Sequence, residues 1–242
     1  MPNFNEKQVD KSFSNHLTTI VIGAILGILT LIMSSMTPVT AVNQIHSGYS
    51  STLIALELAQ EPEDVYGIIG GPEDEEYMDY VDHFKSLILY DLVFIILYVI
   101  FYLQIITFIY RDQSTAWGFY LSSILVALSG VSDLGENFQL QAILEASSPE
   151  KMSEPLYLLG IFTHIKWGLI FLINAWIGIK LWLYERGTIH KAVAIAMFTS
   201  FMFYAACFLK PNLLELGILF LAISFILFWI YSLLIIVLSR KT

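Results

Sequence analysis

The chain has 242 residues, of which 57% are hydrophobic and 14% charged, with a formal net charge of −9. So small a charged fraction cannot coat a soluble domain of this length, and a mean hydropathy of +0.69 places the chain in the membrane class. The sequence carries no Gly-rich phosphate loop, paired-Cys metal motif or basic nucleic-acid patch, so nucleotide and nucleic-acid partners are set aside and no cofactor is expected.

Taken in order, residues 1–16 are polar, and Leu17–Met36 is an apolar run about as long as a ~30 Å hydrocarbon core requires. A charged head followed by an apolar run also describes a signal peptide, with small residues near Thr40 and Ala41. The run is read here as an uncleaved first span. Residues 37–85 then form a long polar segment. Within it, Val42, Ile45, Tyr49, Leu53 and Leu56 recur at helical spacing, so an amphipathic helix is expected over Thr40–Gln60. A second short helix opens at Pro62 and closes at Gly70 and Gly71. A third start is expected at Pro72, with its acids at the positive end of the helix dipole. Those acids lack the alternating ligands and central glycine of a calcium loop, so no metal site is assigned.

Five further apolar segments follow, at about 86–110, 117–142, 155–183, 192–209 and 217–238. The fold class expected is therefore all-α, a single polytopic bundle of about six transmembrane helices over 1–242, with a partly helical acidic loop after the first. Cys207 falls in an apolar run and reads as a small packing residue. As the single cysteine, it permits no intramolecular disulfide.

Charge is unevenly placed. Ten carboxylates lie between Glu57 and Lys85 against Lys85 alone, so the excess acidity belongs to one segment. Of the 12 basic residues, Lys7, Lys11, Arg111, Lys180, Arg186, Lys191, Arg240 and Lys241 fall at one end of a six-span topology. Lys85, Lys151 and Lys210 fall at the other. The positive-inside rule then puts both termini in the cytoplasm and the acidic loop outside. Trp117, Tyr120, Trp182 and Tyr184 sit where a cytoplasmic aromatic belt is expected.

The third span carries the chemistry. Ser129, Asp133, Glu136 and Asn137 fall within about 100° of one another on a helix, one face of an otherwise apolar segment. A carboxylate at membrane depth costs several kcal/mol, so it faces protein or a wet cavity. Counting at 1.5 Å per residue puts Asp133 about 13 Å, Lys166 about 16 Å and Asp91 about 8 Å below the outer helix ends. Opposite charges on three spans thus share a depth. Asp91, Ser129, Asp133, Glu136, Asn137, Lys166 and Asn174 are the expected buried polar network, with Tyr98 and Tyr102 lining a path beneath Asp91. His164 points about 160° from Lys166 and is read as a core or interhelical hydrogen-bonding residue.

Three functions follow. The first is a membrane protein binding an ion, proton or small polar ligand, in transport, conduction or sensing. The second is a structural or regulatory subunit, docking on a second copy or another membrane protein through the acidic loop. The third is an intramembrane enzyme on a lipid or quinone head group, with Asp133 or Glu136 as base and Lys166 stabilising negative charge. The third lacks any nucleophile–base or metal-ligand signature in the sequence.

Overall fold

The computed structural model describes residues 4–45, 48–110, 116–184 and 187–239, with side chains over 16–45, 48–110, 116–183 and 187–237. The described residues are helical, without strands. Eight α-helices follow one another: α1 Phe4–Met36, α2 Thr52–Glu57, α3 Pro62–Ile69, α4 Tyr77–Tyr110, α5 Ala116–Leu144, α6 Ser153–Tyr184, α7 Thr188–Cys207 and α8 Leu213–Ser239. A 3-10 turn over Pro149–Met152 leads into α6. Six of the helices are long and apolar enough to cross a membrane. Helices satisfy their own backbone groups, which is why an apolar chain of this kind has no other open choice in lipid.

Neighbours in space follow order in sequence. From α4 to α8, each long helix packs on the next, α1 packs on α4, and the ring closes through α1 against α8. Glycines make room for bulky rings between the helices, as small residues do where lipid gives no hydrophobic drive to helix association. At Gly23 an added Cβ would come 2.5 Å from the Trp229 ring, whose indole N–H donates to the Ile20 carbonyl at 2.9 Å. At Gly135 it would come 2.7 Å from Phe162. The space inside the ring is filled by aromatic side chains of α4 and α8. Phe101 and Tyr102 meet Phe225 with centroids 5.1 and 4.9 Å apart, within the range of favourable ring pairing.

The connection from α1 to α4 departs from the sequence expectation. The helix expected over Thr40–Gln60 forms only as α2, and Val42 and Tyr49 lie outside it. The reason is a competing set of backbone bonds. Val42 N–H donates to the Ile68 carbonyl and Asn43 N–H to the Gly67 carbonyl, both at 3.0 Å, capping carbonyls that the end of α3 leaves open. Helix α3 runs as its Pro and Gly signals indicate. Asp64 accepts from the N–H groups of Gln60 and Glu61, and Gly70 terminates the helix at φ +83°. The acids after Pro72 occupy turns, and α4 begins later, at Tyr77, yet well before Ser86. One of those acids, Asp74, accepts from Gly71 N–H at 2.8 Å and so fixes a turn instead of a helix.

The connection does not hang free. Ala55, Leu56, Ala59, Val65, Ile68 and Ile69 pack with Phe84, Leu87, Leu140, Ile143 and Leu159 into a second core, distinct from the aromatic one. Glu215 at the start of α8 accepts from the N–H groups of Ser50 and Ser51 at 2.7 and 2.8 Å and from the Ser50 hydroxyl, tying the entry of α2 to the far side of the ring. Several positively charged residues used to orient the chain, Lys7, Lys11, Arg111, Arg186, Arg240 and Lys241, lie outside the described side chains, as does the turn at 111–115. Replacing Leu56, 1% exposed, by Ala is expected to cost about 2–5 kcal/mol. Leu31→Ala, at a residue of α1 that is itself 72% exposed, is expected to change stability by no more than about 0.5 kcal/mol. Thermal unfolding in detergent measures both, and equal small effects would mean that α2 is not docked.

Candidate functional site

The site is assembled from four helices around one amine. Asp133 and Glu136, three apart on α5, face inward with 5% and 1% exposure, and Lys166 reaches them from α6. The Lys166 amine hydrogen-bonds Glu136 Oε1 and lies 3.4 Å from Asp133 Oδ1. A third carboxylate completes the set, 3.2 Å from the amine. It belongs to Glu57, at the last turn of α2. Glu136 is eight residues from the end of α5, so α2 carries Glu57 about 12 Å down the bundle axis from that end.

The end of α2 meets polar partners at this depth. The Glu57 carbonyl, left open by the end of the helix, accepts from the Thr163 hydroxyl at 3.0 Å. Its carboxylate also accepts from the Trp167 indole at 3.3 Å. The Trp167 ring centroid stands 4.7 Å from the Lys166 amine, a cation–π contact. Burial raises the Glu57 carboxyl above the usual range. Lys166 pulls it down and Asp133 pushes it further up, so the protonated form is favoured more than in an exposed glutamate.

Asp91 of α4 stands at the edge of this group. It is only partly buried and accepts from the Asn137 side-chain amide at 2.6 Å. Glu57, Asp133 and Lys166 all lie within electrostatic reach of it. Four carboxylates therefore share one ammonium. Glu136 Oε2 is buried without a hydrogen-bond partner, whereas the Tyr98 hydroxyl sits against polar groups. The nearest polar neighbours of that hydroxyl include Ser129 and Asp133. One carboxylate oxygen is thus left open beside a charge imbalance, which is uncommon for a buried polar atom.

Of the residues expected from sequence, Asp133, Glu136 and Lys166 meet directly, and Asp91 and Asn137 form the adjoining pair. Ser129 is buried but donates to the Val126 carbonyl of its own helix at 2.8 Å. Asn174 belongs to a separate node deeper in the bundle. It accepts from the Tyr102 hydroxyl at 2.8 Å and donates to Ser200 at 3.3 Å. Tyr98 and Tyr102 stack edge to face with centroids 6.5 Å apart, between the acid group and that node. His164 corrects its expectation, since it is exposed on the outer face of α6 and pairs with the Gly160 carbonyl of its own helix at 2.6 Å. The angular argument that turned it away from Lys166 holds, but the far side of α6 at that height faces outward, not into a neighbour.

Glu57 was missed because it lies in the acidic segment, where nine other carboxylates point to solvent chemistry. One signal distinguishes it. In TLIALELA it is the single charge in an apolar run, at the one turn where a solvated acid has no polar neighbours. Comparison with protein-family models, curated proteins and solved structures found no match. Function therefore rests on this geometry. Thr163→Val is expected to leave the Glu57 carbonyl unmet and to cost about 1–3 kcal/mol. His164→Leu, one position along, should stay within about 0.5 kcal/mol. A detergent melt in which the two behave alike would contradict the docking of α2 on α6.

Proposed function

We propose that this multi-pass membrane protein takes up a proton or a small cation at the buried group of Glu57, Asp91, Asp133, Glu136 and Lys166, in the service of transport, conduction or sensing. The observation that carries the reading is the ratio of four carboxylates to one amine. Fully ionised, the group would hold three uncompensated negative charges in a region largely closed to water. Each costs several kcal/mol there. Such a group lowers its energy by binding protons or by admitting a cation.

A purely structural role explains less. Polar contacts between helices in membranes average about 0.6 kcal/mol, and asparagine or glutamine would supply them without a burial cost of ions. The acidic segment adds support. Glu61, Glu63, Glu73, Glu75, Glu76, Asp79 and Asp82 stay on the surface of the same end of the bundle as α2 and α3, and a negative rim concentrates cations. With the orientation argued from basic residues, that rim faces out of the cytoplasm. Beneath the group, Tyr98, Tyr102, Asn174 and Ser200 offer a run of hydroxyl and amide groups toward the other end.

Reconstitution in lipid vesicles tests this. Vesicles holding a pH-sensitive dye should respond to an imposed proton, Na⁺ or K⁺ gradient. The response should be lost in Asp133→Asn and in Glu136→Gln. Wild-type behaviour in both variants would leave the group as a structural contact.

A further inference from the structure

We infer that the species exchanged at this group is the proton, and that Asp91 is where it enters, through a water-sized cleft between α1, α2, α4 and α5. The inference rests on the reading of the buried group given above and narrows it to one ligand and one door.

The cleft is defined by its walls. Met33, Leu53 and Ile88, all partly exposed, form its rim. Leu56, Phe84, Leu87 and Leu140 form its sides, and Glu57, Asp91 and Asn137 supply the polar atoms. Its volume is about 20 Å³. A single water needs roughly 10–15 Å³ measured in this way, plus two or more polar partners. One water therefore fits, and an organic cation does not.

The lining also argues against a metal ion. Na⁺ or K⁺ must exchange its hydration shell for several oxygens, and hard divalent ions require six or more. Seven of the ten lining residues are hydrocarbon or thioether side chains. No group of three His, Cys, Asp or Glu among the described residues is set out to hold a metal. Within the acid group itself the central place is taken by the Lys166 amine, which already supplies a cation. A proton needs neither a shell nor space.

Asp91 is singled out by exposure. Glu57, Asp133 and Glu136 are 8%, 5% and 1% exposed, whereas Asp91 keeps more of its surface open and lines the cleft directly. The groups facing it can be named from each element. They are Glu57 on α2, Asp133 and Asn137 on α5, and Lys166 on α6, with Met33 the lining residue from α1. In the exchange step a hydronium ion at the rim gives its proton to an Asp91 carboxylate oxygen. A neutral carboxylic acid and a water molecule result. The Asn137 amide donates to the other carboxylate oxygen at 2.6 Å and so fixes the carboxyl's orientation, which makes it a positioning residue. Asp91 then lies between the outer water and three more deeply buried acids, with an unpartnered oxygen of Glu136 inside.

The experiment is a rapid acidification of purified protein in lipid nanodiscs, followed by infrared difference spectroscopy of carboxylic-acid C=O bands. Parallel titrations with NaCl and KCl at fixed pH are read by the same bands. Wild type should gain protonated carboxyl signal on acidification and give no band change with either salt. Asp91→Asn should lose one band and slow the remaining uptake by roughly 100-fold, the low end of the range for a positioned proton-transfer group. Leu53→Trp, which fills the rim without altering an ionisable group, should slow uptake yet reach the wild-type final amplitude. Thermal melting of each variant establishes that it is folded. If Na⁺ or K⁺ shifts the bands and acid does not, the proton inference fails while the ion-binding reading survives. If neither acid nor salt changes them, both fail. If Asp91→Asn and Leu53→Trp take up protons at the wild-type rate, Asp91 is not the entrance.

Discussion

The contact on which the rest depends is that of the Lys166 amine with carboxylates from two other helices, Glu57 of α2 and Asp133 and Glu136 of α5. An amine buried alone among hydrocarbon would be costly enough to lose its proton or to pull the helix apart. Surrounded by acids it has three carboxylate partners, and it holds them together in turn. A pair would have sufficed for that. The surplus of acids is what separates this arrangement from an ordinary helix-to-helix contact, because breaking even on charge requires one partner and not four.

The same contact explains how a polar connection comes to lie inside an apolar bundle. Chain between spanning helices normally stays at the surface, since open carbonyls and N–H groups have no partners at depth. Here α2 enters short and is tied at both ends. Glu215 takes the N–H groups of Ser50 and Ser51 at its start, and Thr163, Lys166 and Trp167 meet Glu57 at its end. Leu56 and Ala55, each 1% exposed, supply the apolar contact between those two polar ends. The segment thus roofs the acid group from α8 across to α6 while contributing one of its members.

Much of this was legible in the sequence, for physical reasons that also mark where legibility stops. Hydrocarbon thickness sets the length of a span, so six apolar runs translate almost directly into six helices. Helical geometry put Asp133 and Glu136 on one face, and the cost of burying Lys166 required that face to find it. Both arguments are local or nearly so. Glu57 depends on something longer in range, namely that Val42 and Asn43 bond to the end of α3 and fold the segment back on itself. Periodicity over Thr40–Gln60 carried no sign of that return. Asn174 is buried and polar as expected, but its partners lie elsewhere. Its polarity and its helix suggested membership, but a partner from α4, the Tyr102 hydroxyl, and another from α7, Ser200, hold it in a node of its own.

One lysine holds a surplus of acids inside the bundle, and Lys166→Met removes that lysine alone. Without the amine, the carboxylates face one another and the folded state gains by binding protons that the unfolded state does not. Stability must then rise as pH falls, because the folded chain binds the greater number. Detergent melting at several pH values should show a loss of about 3–5 kcal/mol near neutral pH, recovered progressively toward acid. A variant as stable as wild type at neutral pH, or one whose loss is the same at every pH, would contradict the account.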